Sequence, residues 1–148
     1  MTGVQTCALP ISIFLIVVVM GKEKLKRPTA AIGHVFMKTV DIKTTTKFYE
    51  ELGLRKIFEN KEMSIVELRG GTHLLFFKNS RKFKKPQNAK FDLMVDDVWS
   101  FHKALKKKKK KVSPIQLQTI SGHNIFSVKD PDGRLVKIYS THTDGRTV

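Results

Sequence analysis

The stretch Asn124–Tyr139, NIFSVKDPDGRLVKIY, decides the fold. Ile125, Phe126 and Val128 form a β-favouring run that stops at Asp130-Pro131-Asp132-Gly133. Pro131 presets φ for a turn, and Gly133 supplies a position where φ > 0 meets no steric penalty. Leu135, Val136, Ile138 and Tyr139 then resume the run, so the segment reads strand, tight turn, strand. A weaker copy of the pattern stands earlier in the chain: Ser64–Leu68, then Arg69-Gly70-Gly71, then Thr72–Phe77. Two hairpins of one design in a short chain predict an internal repeat.

Working outward, each hairpin is preceded by the same order of elements. Ala30–Lys38 reads as a strand. Asp41 is a good N-cap, and Ile42, Thr45, Phe48 or Tyr49, and Leu52 recur at helical spacing until Gly53 closes the helix in the C′ role. Leu54–Glu59, Met63–Leu68 and Thr72–Lys78 are the next three strands. The polar linker Asn79–Asn88 follows, and the order repeats. Lys90–Val95 is a strand, and Asp96 and Asp97 cap a helix carrying Val98, Phe101 and Leu105. Val112–Ile120 is a strand with Pro114 at its start or on an edge, and Asn124–Lys129 and Leu135–Tyr139 complete the set. The expected fold is α+β: two tandem βαβββ modules, at 30–80 and 88–142, in one domain spanning 30–142, with a short polar tail at 143–148.

The 148 residues suffice for one domain with its own core. With 28 Lys+Arg against 13 Asp+Glu, the formal charge is +15, which marks a soluble, strongly basic chain. Cys7 is the one cysteine, so no internal disulfide forms, and a reducing, cytoplasmic setting is expected. Ile11–Met20 is apolar but too short to span a bilayer as a helix, and it lacks the flanks of a signal peptide. Thr2–Ile11, TGVQTCALPI, matches the conceptual translation of a sequencing-library adapter. Residues 1–29 are therefore set aside as extraneous or disordered, with Met20 as the expected start.

GHVFMKTVD followed by TTTKFYEELGL resembles the opening of the vicinal oxygen chelate superfamily, which includes glyoxalase I, dioxygenases and bleomycin-resistance proteins. FDLMVDDV and FSVKDPDGRLVKIY resemble the opening and closing strands of that family's second module. The resemblance covers roughly residues 30–142 and implies paired modules whose strands curl into an open cup around the site. It also implies a homodimer and a small-molecule ligand.

The family's four metal positions fall, by the resemblance, on His34, Leu75, Lys90 and Lys137. One ligand of four survives. A divalent cation needs deprotonated N, O or S donors, and ammonium groups repel it. The usual divalent-metal ligand set is therefore mostly absent. A displaced set of His34, His73 and His123 is one metal reading. An anion site is the other: strand alternation sends Lys90 and Lys137 into the cup with His34, Asp92 and Tyr139. The bland alternative is that these lysines pair with Asp92 or Glu67 and only seal a polar interior. His34, His123 and Glu67 are the candidate acid–base groups, Glu67 being the only carboxylate expected on the inner strands of the first module. His102, on a helix among lysines, is expected at the surface.

Lys106–Lys111 is an unbroken lysine run at the end of the second helix. It has no interleaved aromatics to stack on bases, so specific nucleic-acid binding is not expected, and a basic nucleic-acid-associated protein is the least favoured of three functional readings. The resemblance implies two functions. One is a divergent glyoxalase-like lyase, isomerase or dioxygenase acting on a small oxygenated or anionic substrate. The other is a metal-free, ligand-sequestering protein of the bleomycin-resistance type.

Overall fold

The computed structural model describes residues 29–81 and 87–141. The N-terminal segment with Cys7 and Met20, His142 and the tail lie outside the described residues, as does 82–86 of the linker. The first copy of the repeat folds as β1 (His34–Thr39), α1 (Ile42–Glu51), β2 (Arg55–Glu59), β3 (Met63–Glu67) and β4 (His73–Lys78). The second folds as β5 (Asn88–Val95), α2 (Val98–Lys107), β6 (Gln116–Gln118), β7 (His123–Lys129) and β8 (Leu135–Ser140). Each copy makes one mixed four-stranded sheet, ordered β1-β4-β3-β2 and β5-β8-β7-β6. In each, the first and last strands pair in parallel and the hairpin strands pair antiparallel. The fold is thus α+β with paired βαβββ units and two open sheets.

Strand alternation sorts the residues. On β1, Met37 and Thr39 are buried while His34, Phe36 and Lys38 are exposed. On β8, Val136 and Ile138 are buried while Leu135 and Lys137 are exposed. The buried phase of each sheet packs under its helix, and the residues of both copies join in one core that runs from Met37, Tyr49 and Phe76 to Leu93, Phe126 and Ile138. Burying apolar area at about 25 cal/mol per Å² drives this packing. Hydroxyls stitch α1 to its sheet. Thr39 and Thr45 are 2.6 Å apart, and Thr46 donates to the Ile42 carbonyl at 2.7 Å and is hydrogen-bonded to Ser64 at 2.7 Å.

Both helices begin as the sequence predicts. The Asp41 carboxylate accepts from the Thr44 N–H at 3.1 Å, and that of Asp97 accepts from the Trp99 and Ser100 N–H groups, each at 3.0 Å. Gly53, at φ 92°, ends α1. The Leu54 N–H returns to the Tyr49 carbonyl and the Gly53 N–H to the Glu50 carbonyl, which is the Schellman arrangement. The end of α2 repeats it, with the Lys110 N–H on the Leu105 carbonyl and the Lys109 N–H on the Lys106 carbonyl.

Four particulars differ from the sequence reading. β1 starts at His34 rather than Ala30. The strand expected over Val112–Ile120 is only Gln116–Gln118 plus a single bridge from Val112 to Val128, because Pro114 has no N–H to give a ladder. His102 is buried, not surface: its Nε2 lies 2.9 Å from the Ser113 carbonyl, and its ring meets Phe126 edge to face. The lysine run is also partly built in. Lys108 Nζ donates to the Glu51 carbonyl at 3.0 Å, and Lys110 is ion-paired to the Glu51 carboxylate with its ammonium 5.1 Å from the Phe48 ring centre.

The DPDG turn does more than reverse the chain. Buried Asp130 accepts from the Tyr49 hydroxyl at 3.2 Å, from the Arg134 N–H at 2.8 Å and from Arg134 Nε at 2.7 Å. Asp132 accepts from the Val40 N–H at 3.1 Å and from Arg134 Nη2 at 2.6 Å. Arg134 Nη1 donates to the Lys38 carbonyl at 2.6 Å. The second copy's hairpin therefore clasps the β1–α1 corner of the first.

Candidate functional site

The exposed phase of each sheet is where the candidate side chains stand. On the first sheet one rung crosses all four strands. His34 is in register with His73, His73 with Glu67, and Glu67 with Arg55. The two imidazole rings stack, with centroids 5.5 Å apart. Glu67 Oε1 is 3.8 Å from His73 Nε2, while Oε2 accepts from Arg55 Nε at 2.8 Å and is also bound by Arg55 Nη2. Arg55 thus fixes Glu67 and leaves one carboxylate oxygen toward His73. Below this polar rung the face is apolar: Phe36, Leu75 and Ile65 share a register, with Phe77 beyond them.

On the second sheet Asp92 stands across from Lys137, and Met94 across from Tyr139. Lys137 is also in register with Ser127, and Tyr139 with Ile125. His123 opens β7, and its ring meets Tyr139 edge to face at 5.5 Å. Its Nδ1 lies 2.6 Å from the Ser140 carbonyl. A carbonyl only accepts, so Nδ1 is the donor in this contact.

The structure therefore brings His34, His73 and Glu67 together on one sheet and Asp92, Lys137, Tyr139 and His123 together on the other. Lys90 stands apart from both groups, on the exposed phase of β5 at the seam where the two sheets meet. Two cavities lie along that seam. One, of about 390 Å³, is lined by Phe36, Lys38, Phe77, Asn88, Lys90 and Arg134 among others. The other, of about 430 Å³, is lined by Leu54, Leu68, Arg69, Asp92, Met94 and Asp96 among others. Neither is lined by His34, His123, Glu67, Lys137 or Tyr139.

The metal reading of His34, His73 and His123 is not assembled within one chain. Among the described residues no three His, Cys, Asp or Glu side chains gather closely enough to hold a metal ion. His34 and His73 turn ring faces, not lone pairs, toward each other, and His123 is on the other sheet. The four positions implied by the resemblance offer a histidine, a leucine and two lysines, a donor set that does not suit a divalent cation.

The pairing that would neutralise the lysines is also missing. Among the described residues neither Lys90 nor Lys137 enters an ion pair, and Glu67 is taken by Arg55. Sequence reasoning missed Arg55 and the Phe36–Phe77 pair. Phase counting along β1 and β4 carries the signal for the aromatics, since both fall on the exposed phase; Arg55 needs the strand order.

Paired βαβββ units with two open mixed sheets define a class of α+β proteins. The chain matches the sequence profile of the glyoxalase/bleomycin resistance protein/dioxygenase superfamily over residues 31–138, and it belongs to that superfamily. No curated protein matches it by sequence. Among solved structures it is similar to lactoylglutathione lyase from Agrobacterium tumefaciens, with 18% identity, a TM-score of 0.65, and coverage of 80% of this chain and 98% of that one. It is similar to a bleomycin-binding protein complexed with bleomycin, with 22% identity, a TM-score of 0.58, and coverage of 77% and 100%. It is likewise similar to the oxidase ChaP-H2, with 19% identity, a TM-score of 0.61, and coverage of 80% and 100%. A lyase, a binder and an oxidase on one scaffold mean that the fold alone does not fix the chemistry. Among the described residues no helix is long and apolar enough to cross a membrane.

Proposed function

We propose that this chain binds a small anionic or oxygenated molecule against the exposed faces of its sheets, using lysines where the superfamily's metal would stand. The observation that carries the reading is that Lys137, on the exposed phase of β8, and Lys90, separately at the seam on the exposed phase of β5, enter no ion pair among the described residues. An unpaired cation beside hydroxyl and imidazole groups suits a carboxylate or phosphate held by point charges. Tyr139 flanks Lys137 and can donate its hydroxyl to the anionic group, while the Asp92 carboxylate across the strand can only accept, and so would hold a hydroxyl of the ligand. A second copy of the chain laid against the exposed faces closes the hollow.

His123, His34 and Glu67 are the groups available for proton transfer if the molecule is turned over by lyase, isomerase or dioxygenase chemistry. The second reading is a metal-free, ligand-sequestering protein, favoured by the donor set at the metal positions and by likeness to a protein solved with bleomycin bound.

Isothermal titration of the purified chain with small organic anions tests the proposal. Saturable binding that Lys137→Ala weakens by about tenfold, the loss of one charge-assisted contact, is expected. No binding by the wild type ends the idea. Turnover separates the two readings, since release of an altered product favours the enzyme and recovery of the unchanged anion favours the binder; stoichiometric divalent metal in the same preparation contradicts both.

A further inference from the structure

We infer that the seam cavity between β1 and β5 is a subsite for a planar aromatic ring that carries an anionic group. The inference rests on the anion-binding reading above and extends it to the class of ligand. Three features of the cavity lead there. Phe36 and Phe77 lie on neighbouring strands with ring centroids 6.1 Å apart and planes inclined by 19°, so they form one flat apolar floor. Phe36 is 58% exposed and Phe77 37%, which leaves that floor open to a guest. Aromatic pairs gain beyond their buried area when rings meet in offset or edge contact, so a ring is a better guest than an aliphatic chain of equal size.

The charge around the floor has one sign. Lys38 rises beside Phe77, with which it is in register, and Lys90 stands across the seam. Asn88 adds a carboxamide, and among the described residues no carboxylate lines the cavity. Among the described residues Lys38 and Lys90 enter no ion pair. A neutral arene leaves both ammonium groups unanswered, and an aliphatic anion leaves both rings bare. An aromatic anion answers both.

Arg134 also borders the cavity, but its guanidinium is committed to Asp130, Asp132 and the Lys38 carbonyl. Its part is positional. By holding the Lys38 carbonyl it fixes the end of β1, and with it Phe36 and Lys38, against the second copy's hairpin. The cavity is thereby set before a ligand arrives, which lowers the ordering cost of binding. Its volume of about 390 Å³ falls in the usual range for small-molecule sites.

Isothermal titration of the full chain with naphthoate and with decahydronaphthoate tests the inference, since the two acids share charge and carbon skeleton and differ in aromaticity. Naphthoate is expected to bind about tenfold more tightly. Phe36→Ala, which removes an exposed side chain and is checked for an unchanged circular dichroism spectrum, is expected to erase that preference. Lys90→Gln is expected to weaken both acids. Equal affinity for the two acids, or a preference that survives Phe36→Ala, overturns the aromatic subsite while leaving the anion-binding proposal standing. If neither acid binds, both are overturned.

Discussion

Asp130 and Arg134 show how single residues hold the two halves of the repeat in place. Both are buried, and the Arg134 guanidinium satisfies two carboxylates and one backbone carbonyl at once. Removing one partner of such a cluster strands the other in a low-dielectric site. Arg134→Ala is therefore expected to cost about 3–5 kcal/mol in urea unfolding. A change under about 1 kcal/mol, the size of a surface pair, contradicts the clasp. Tyr49 gives a second prediction. Burial first, and then the Asp130 carboxylate, hold its phenol well above the ordinary value of 10. The unfolded chain releases that proton near pH 10, whereas the folded chain keeps it. The stability is thus whole below about pH 10 and declines as pH rises beyond it. Urea midpoints measured from neutral to alkaline pH are expected to fall less steeply above that point for Tyr49→Phe than for the wild type. Asp130 keeps its other donors in that variant, so the comparison isolates the phenol.

At the scale of elements, the ends of α1 and α2 are one motif written twice with different residues. Gly53 takes the left-handed position after α1 at φ 92°, and Lys109 takes it after α2 at φ 57°. An L-residue in that region pays about 1–2 kcal/mol that glycine does not. Lys109→Gly is expected to raise thermal stability by about 1 kcal/mol, less the added entropy of the unfolded glycine. A lowered melting temperature contradicts this account of the α2 terminus. These ends also show what a sequence displays. Asp41, Asp97, Gly53 and the DPDG turn act on backbone within a few residues of themselves, so their roles are legible locally. Strand phase is legible too, but it does not say which exposed residues meet: of His34, Lys90 and Lys137, expected to share one cup, only Lys90 lines a seam cavity. The rung from His34 to Arg55 is not legible, because it depends on the order β1-β4-β3-β2, which no local pattern encodes. His102 was legible and misread. Its spacing from Val98 and Leu105 lies on the buried stripe of α2, but its lysine neighbours suggest the surface.

For the whole molecule, two terms oppose each other on the exposed sheet faces. Phe36, Phe58, Phe77 and Met94 are each more than a third exposed, which favours covering those faces. A formal charge of +15 opposes bringing two copies together. The apolar term is insensitive to dilute salt, whereas the repulsion is screened, with a Debye length falling from about 30 Å at 0.01 M to about 10 Å at 0.1 M. Self-association is therefore expected to strengthen as salt rises over this range, the reverse of what contact between opposite charges gives. Sedimentation equilibrium across that range reads it directly, and Phe58→Ser, which leaves the seam cavity untouched, is expected to shift the balance toward monomer. A chain that stays monomeric at every salt concentration removes the second copy from the proposal. The ligand is then held by one chain, at the seam, with the rung of His34, His73 and Glu67 left open to solvent.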